Sequence, residues 1–137
     1  MIFERETLTH TKCLHIFKCI EEYSVEIWVP KICIIEVAAV SRRFTDLQTS
    51  QKITARLHTS STLISEDDIF TIAWNIAETQ SCSGFDSYFI ALAYLQNIPL
   101  FTDDEGMHRH ALKKNVKSIL VRKAEISDID TVFQPFS

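Results

Sequence analysis

The stretch Phe85–Asp104, FDSYFIALAYLQNIPLFTDD, decides the fold class of this chain. Its first part, Phe85–Leu95, is apolar on nearly every side at helical spacing, which predicts a helix buried over most of its surface. Ile98–Thr102 follows as a short apolar strand that runs directly into consecutive acids. Buried helices that alternate with short apolar strands are typical of an α/β protein with a parallel sheet.

Helical and strand patterns also alternate on both sides of this stretch. Downstream, the pattern predicts a polar helix over Asp103–Asn115 and a strand over Val116–Val121. Upstream, Ser65 begins a helix in the manner of a capping box, and the helix carries an apolar stripe of Ile69, Ile72, Ala73, Ile76 and Ala77. The other predicted elements are the helix Glu6–Tyr23, the strand Val25–Val29, the helix Lys31–Phe44, the polar helix Asp46–His58 and the strand Thr62–Ile64. We predict that Asp46 is the N-cap of the polar helix. We therefore predict a three-layer sandwich in which helices flank a mainly parallel central sheet.

The size and composition of the chain suit one globular domain. It has 137 residues, of which 46% are apolar and 23% charged, and we predict a single domain over residues 1–137. Its two glycines, Gly84 and Gly106, cannot form the phosphate-binding patterns GxxxxGKS/T or GxGxxG. The net charge of −4 argues against a protein that coats polyanions.

The four cysteines indicate a reducing compartment. Cys13, Cys19, Cys33 and Cys82 include no CxxC pair, so we predict neither a disulfide framework nor a zinc site. The N-terminus lacks the pattern of a signal peptide, and no apolar run approaches the roughly 20 residues of a membrane span. We expect a cytoplasmic protein without a membrane partner.

Two carboxylates interrupt apolar sequence. Glu36 lies within Ile32–Val40, which is otherwise wholly apolar, and Asp86 opens the most apolar helix. Burial of an unpaired carboxylate is costly, so each needs a cation, a hydrogen-bond network or a cleft. The structural alternatives are a helix cap for Asp86 and an ion pair with Arg42 or Arg43 for Glu36.

A third acidic group follows the predicted strand Ile98–Thr102. Asp103 and Asp104 come directly after Thr102, and open α/β folds bind ligands at the carboxyl ends of their strands. The alternative role of these acids is to complement the dipole of the following helix. If they converge with Glu36 and Asp86, the resulting cluster suits a hard cation such as Mg²⁺ or Mn²⁺.

In this order, the motifs resemble the PIN domain. The resemblance is carried by Trp28-Val29-Pro30 with Ile35-Glu36-Val37, by Phe85–Ala93 and by Pro99–Asp104, within roughly residues 6–121. It implies a metal-dependent endoribonuclease of the kind found as the toxin in toxin–antitoxin pairs.

The resemblance also implies roles for particular residues. The catalytic, metal-binding carboxylates fall on Glu36, Asp86 and Asp104. Asp103 is an assisting metal ligand, and Thr102 is the substrate-positioning hydroxyl. The implied cofactor is Mg²⁺ or Mn²⁺, and the implied partners are an RNA substrate and an antitoxin protein.

One part of the family pattern has no counterpart here. The family's first strand ends in a metal-ligating aspartate, and nothing before the helix Glu6–Tyr23 matches it. We therefore expect an N-terminally truncated PIN-like domain with weakened cation binding, unless the true start lies upstream. A sheet without its central strand leaves unpaired backbone groups, which favours a homodimer.

Two other functions remain as alternatives. The chain could be a degenerate, inactive PIN-like module that acts in protein–protein interaction. A receiver-like phosphoacceptor domain is less well supported, because no acidic pair follows the first strand. Trp28, Trp74 and the phenylalanines are predicted to lie in the core and not to form a base-stacking platform.

Overall fold

The chain forms two compact units. The computed structural model describes residues 2–137, with side chains from Thr9 onward. The central unit is Glu26–Leu92, and the terminal unit combines the described residues up to Val25 with Ala93–Ser137. A single domain over residues 1–137 stays a prediction.

A parallel pair of strands and its connecting helices build the central unit. β1 (Ile27–Pro30) pairs with β2 (Ser61–Ile64) in parallel, with Ile27 opposite Ser61 and Pro30 opposite Ile64. The crossover between them consists of two helices, as a parallel pair requires a long connection. In chain order the elements are β1 (Ile27–Pro30), α2 (Ile32–Phe44), α3 (Leu47–Ser60), β2 (Ser61–Ile64), α4 (Glu66–Gln80) and α5 (Gly84–Gln96), whose last residues belong to the terminal unit.

The terminal unit contains a second parallel pair. β3 (Leu100–Thr102) pairs with β4 (Ser118–Leu120), with Leu100 opposite Ser118 and Thr102 opposite Leu120, and one helix connects them. The elements are α1 (Ile2–Glu22), β3 (Leu100–Thr102), α6 (Glu105–Lys113), β4 (Ser118–Leu120) and α7 (Ile126–Phe133), followed by a 3₁₀ turn at Gln134–Phe136.

These pairings confirm the predicted α/β class. Within the described residues, the strands form two separate parallel pairs. One central sheet, the three layers and the N-terminal truncation stay predictions. No helix in the described part of the chain has the length and apolar character needed to cross a membrane.

The deepest side chains of the central unit lie on α4 and α5. Ile69 and Ile76 on α4 and Ile90 on α5 are almost fully buried. This confirms the predicted stripe on α4, because its residues recur at helical spacing on one face. α5 is buried over most of its length, as predicted, but Tyr94 and Leu95 near its end are exposed.

The core of the terminal unit depends on α7, which was not among the predicted elements. Phe133 stacks against Tyr23 and Phe101, with ring centroids 6.3 and 6.0 Å away. The buried residues of this core are Ile16, Cys19, Val121, Ile129, Val132 and Phe133.

The two predicted helix caps differ in outcome. Asp46 caps α3 as expected, because its Oδ1 accepts a hydrogen bond of 2.7 Å from the Thr49 N–H. The predicted capping box at Ser65 is wrong, since the Ser65 side chain makes no capping bond. Three acids in the first turn of α4, Glu66, Asp67 and Asp68, complement the helix dipole instead.

The prediction that the aromatic residues lie in the core is wrong for part of the set. Trp74 on α4 is 57% exposed, and Phe44 at the end of α2 is 82% exposed. Trp28 is partly buried, and its Nε1–H donates a 2.9 Å hydrogen bond to Glu26. Hydrophobicity alone does not decide burial, because helices at the surface can leave apolar side chains in water.

Candidate functional site

The carboxyl end of β3 carries Thr102 and Asp104 in a local hydrogen-bond network. Thr102 is the last residue of the strand, and its Oγ1 accepts a bond of 3.1 Å from the Asp104 N–H. Asp104 caps α6, because its Oδ1 accepts a bond of 2.8 Å from the Met107 N–H. A carboxylate has a second oxygen with further lone pairs, so this cap is compatible with metal binding by Asp104.

Asp103 is held by Arg122, which follows β4. Asp103 Oδ1 accepts a 2.9 Å bond from the Arg122 backbone N–H and a 3.2 Å bond from its Nε–H. Nη2 of Arg122 donates to the Asp103 carbonyl at 2.5 Å and approaches Oδ2 at 3.4 Å. The hydrogen bond to Asp103 raises the pKa of Arg122. Since both carboxylate oxygens face a cation, Asp103 suits a metal less well than Asp104 does.

Asp86 lies in the first turn of α5 and is partly buried. Ser83 caps this helix, because its Oγ accepts a bond of 3.2 Å from the Asp86 N–H. Ser87, which is buried one turn further, donates through its hydroxyl to the Ser83 carbonyl at 2.7 Å. The alternative in which Asp86 itself is the N-cap is therefore wrong.

The structure corrects the expected burial of Glu36. Glu36 is exposed, and α2 contains no buried residue. The helix lies against α3, where the hydroxyl oxygens of Ser41 and Ser50 are 2.7 Å apart. Away from this contact, Ile35 is 67% exposed. An apolar run in the sequence therefore does not place this carboxylate in an apolar interior.

Glu36 forms no ion pair with the described side chains. Among the described side chains, no ion pair joins Glu36 to Arg42 or Arg43, and Arg42 Nη1 donates to the Thr45 carbonyl at 3.0 Å. Burial raises the pKa of the Cys33 thiol, and the charge of Glu36 adds to this effect. The ion pair offered as a structural role for Glu36 is thus not formed.

Glu66 is an acid bonded to the start of α2 that the sequence analysis did not single out. It is the first residue of α4, directly after β2, and its Oε1 accepts a bond of 2.8 Å from the Ile32 N–H at the start of α2. It therefore fixes the N-terminus of the helix that carries Glu36. The available signal was its position after a strand, which is the same signal that identified Asp103.

The predicted site residues divide between the two units. Glu36 and Asp86 belong to the central unit, and Thr102, Asp103 and Asp104 belong to the terminal unit. Convergence of Glu36, Asp86 and Asp104 stays a prediction. Their carboxylate oxygens are hard donors of the type that Mg²⁺ and Mn²⁺ prefer, so the donor chemistry fits.

Acids at strand ends and helix starts of an α/β protein are typical of proteins that bind a divalent metal ion. The family profile of the PIN domain matches residues 9–113. The chain therefore belongs to the PIN-domain family, which is generally nuclease-like and typically uses a divalent metal. Comparison with curated proteins and with solved structures gives no match.

Proposed function

We propose that this protein is a metal-dependent endoribonuclease of the PIN-domain toxin type, in which residues 1–137 act as one domain. The observation that carries the proposal is the family match over residues 9–113, a stretch that runs through both units. Glu36, Asp86 and Asp104 all fall inside it, at the positions where the sequence motifs resemble those of the family.

In this proposal Glu36, Asp86 and Asp104 hold Mg²⁺ or Mn²⁺. Such an ion supplies a bound water of lowered pKa and neutralises the charge that develops on the phosphodiester. Asp104 is oriented for this role by its bond to the Met107 N–H and by the bond from its own N–H to Thr102. Glu66 supports Glu36 indirectly, because it anchors the first residue of α2.

Thr102 has a donor available for substrate. Its Oγ1 accepts from the Asp104 N–H at 3.1 Å, so its hydroxyl proton can point to a phosphate oxygen. Arg122 fixes Asp103 and thereby joins the ends of β3 and β4. Asp103 is accordingly proposed to assist by positioning and only secondarily as a ligand.

The experiment that tests this function is an RNA cleavage assay with Mn²⁺, with Mg²⁺ and with chelator. Glu36→Gln, Asp86→Asn and Asp104→Asn should each abolish metal-dependent cleavage, because each removes a charged ligand. Asp67→Asn is the matched control, since Asp67 is an exposed acid on α4 outside the proposed site. Cleavage that survives chelator, or that survives all three substitutions, contradicts the proposal.

A second function, an inactive module for protein–protein interaction, is favoured by one observation. α2 exposes Ile35, Val40 and Phe44, and an apolar surface of this kind is typical of a contact site. We propose a homodimer or an antitoxin protein as the partner at this surface, in a cytoplasmic setting. Phe44→Ser should shift the species seen by light scattering towards the monomer if the copies associate here, and an unchanged mass contradicts that dimer.

A further inference from the structure

His15, Cys19 and Asp130 bring three different metal-binding groups together in the terminal unit. His15 and Cys19 are one turn apart on α1, and Asp130 lies on α7. One nitrogen, one sulfur and one oxygen of these side chains all lie within 4.8 Å of one another. Spacing of i and i+4 places the two α1 side chains on one face of the helix.

Both contacts of His15 are made by the same ring nitrogen. Nε2 is 2.6 Å from Asp130 Oδ1 and 3.6 Å from Cys19 Sγ. A proton relay from a thiol through imidazole to a carboxylate uses the two ring nitrogens separately, and this arrangement does not. Three donor atoms within 4.8 Å of one another suit a bound metal ion better than a proton relay.

The separation of the nitrogen and sulfur donors agrees with a tetrahedral zinc ion. Bonds of about 2.05 Å to nitrogen and about 2.3 Å to sulfur separate these two ligands by about 3.6 Å. This is the observed separation of His15 Nε2 and Cys19 Sγ. Nitrogen and oxygen ligands of a tetrahedral zinc ion lie about 3.3 Å apart. Because His15 Nε2 and Asp130 Oδ1 are 2.6 Å apart, the carboxylate has to move away from the ring by about 0.7 Å when zinc binds. Asp130 is exposed, which permits that movement.

The burial of the three groups fits an ion that enters from solvent. Cys19 is buried at the base of the cluster, His15 is partly buried and Asp130 is exposed. A mixture of imidazole, thiolate and carboxylate is borderline in softness and favours Zn²⁺ over Mg²⁺ or Mn²⁺.

We propose that His15 Nε2, Cys19 Sγ and Asp130 Oδ1 form a Zn²⁺ site that links α1 to α7. The site has three protein ligands and leaves a fourth position for water. It is separate from the proposed nuclease carboxylates, none of which contributes to it. Its effect is to join the N-terminal helix to the last helix, across the core formed by Ile16, Ile129 and Phe133.

Co²⁺ and Zn²⁺ titrations of the full chain, freed of metal by chelator, test the site. Co²⁺ should bind one per chain and produce the sulfur-to-cobalt charge-transfer band of a thiolate ligand, and Zn²⁺ should remove that band by displacement. Saturating Zn²⁺ should raise the melting temperature by roughly 5–10 °C. The absence of the band in the unaltered protein overturns the proposal.

Variants on α1 and α7 identify the ligands. Cys19→Ser should eliminate the charge-transfer band, and His15→Gln and Asp130→Asn should weaken Co²⁺ binding at least tenfold. Cys13→Ser and His10→Gln alter the same helix outside the cluster and should leave the titration unchanged. Because Asp130 is exposed, its variant tests the site without disturbing the core. Tight binding in Asp130→Asn, or a band that persists in Cys19→Ser, overturns the assignment.

The result is independent of the nuclease proposal. A carboxylate site contains no sulfur and gives no charge-transfer band, so failure of RNA cleavage leaves this test intact. Conversely, loss of the band in Cys19→Ser does not bear on Glu36, Asp86 or Asp104.

Discussion

Asp103 accepts hydrogen bonds from Arg122 and thereby joins the carboxyl ends of β3 and β4. Asp103 Oδ1 accepts bonds from the Arg122 backbone N–H at 2.9 Å and from its Nε–H at 3.2 Å. Asp103 directly follows β3, and Arg122 lies two residues after the end of β4. The pair therefore stabilises the edge at which parallel sheets bind ligands. The two adjacent acids therefore have different partners. Asp103 bonds to Arg122, whereas Asp104 caps α6.

The first prediction concerns these adjacent acids. Asp103→Asn should lower the melting temperature by a few degrees, because it weakens the contacts with Arg122, while Mn²⁺ affinity changes little. Asp104→Asn should retain the cap on α6, since asparagine also accepts at that position, but should lower Mn²⁺ affinity. Thermal melts and Mn²⁺ titrations of both variants make the comparison. The reverse pattern, with metal binding lost only in Asp103→Asn, would show that Asp103 is the ligand.

The second prediction concerns pH. The Thr49 N–H bond lowers the pKa of Asp46 from its ordinary value. The stabilisation is therefore present above the unfolded-state pKa and is lost as the pH falls through the lower folded-state pKa. Asp46→Ala should reduce the melting temperature at pH 7, and its deficit should shrink below about pH 4. Asp46→Asn serves as the control, because it caps without titrating in this range. A deficit in Asp46→Ala that stays constant down to pH 2 contradicts the assignment.

The third prediction concerns Glu66, which anchors the start of α2. Glu66→Ala removes the acceptor for the Ile32 N–H and should destabilise the protein by about 1–2 kcal/mol. Glu66→Gln keeps an acceptor and should recover much of that loss. Urea unfolding measures both, with Asp67→Ala as the neighbouring exposed control. Equal stability of Glu66→Ala and the unaltered protein would show that the bond contributes nothing.

The fourth prediction concerns the aromatic stack of the terminal unit. Phe133 is 3% exposed and packs against both Tyr23 and Phe101, whereas Phe136 is 54% exposed. Phe133→Ala should cost about 3–5 kcal/mol, because it removes a large buried side chain and leaves a cavity. Phe136→Ala should change stability by less than about 0.5 kcal/mol. Similar losses in the two variants would contradict the described core.

The parts of the fold that followed from sequence are those with strong local periodicity. α4 and α5 were predictable, because their apolar residues either form a stripe or surround the helix. The exposure of Glu36 was not, since the apolar run on α2 contains no buried residue among the described side chains. α7 has only eight residues, and it becomes stable through the packing of Ile129 and Phe133 on α1 and not through local pattern alone.

The candidate site was predictable only in part for similar reasons. Asp86, Asp103 and Asp104 were singled out by their positions at strand ends and helix starts. The sequence could not show that Arg122 donates hydrogen bonds to Asp103. The cluster of His15, Cys19 and Asp130 was missed because 115 residues separate His15 from Asp130. Only tertiary packing of α1 against α7 brings these ligands together.

We propose that Glu36, Asp86 and Asp104 together bind the divalent ion of a PIN-domain nuclease. Mn²⁺ titration followed by electron paramagnetic resonance, on the unaltered chain and on the three single variants, tests it most directly. We predict one Mn²⁺ per chain, with affinity reduced at least tenfold in Glu36→Gln, Asp86→Asn and Asp104→Asn and unchanged in Asp67→Asn. Absence of Mn²⁺ binding in the unaltered chain, or equal binding in all four variants, would show that these three carboxylates do not form the metal site.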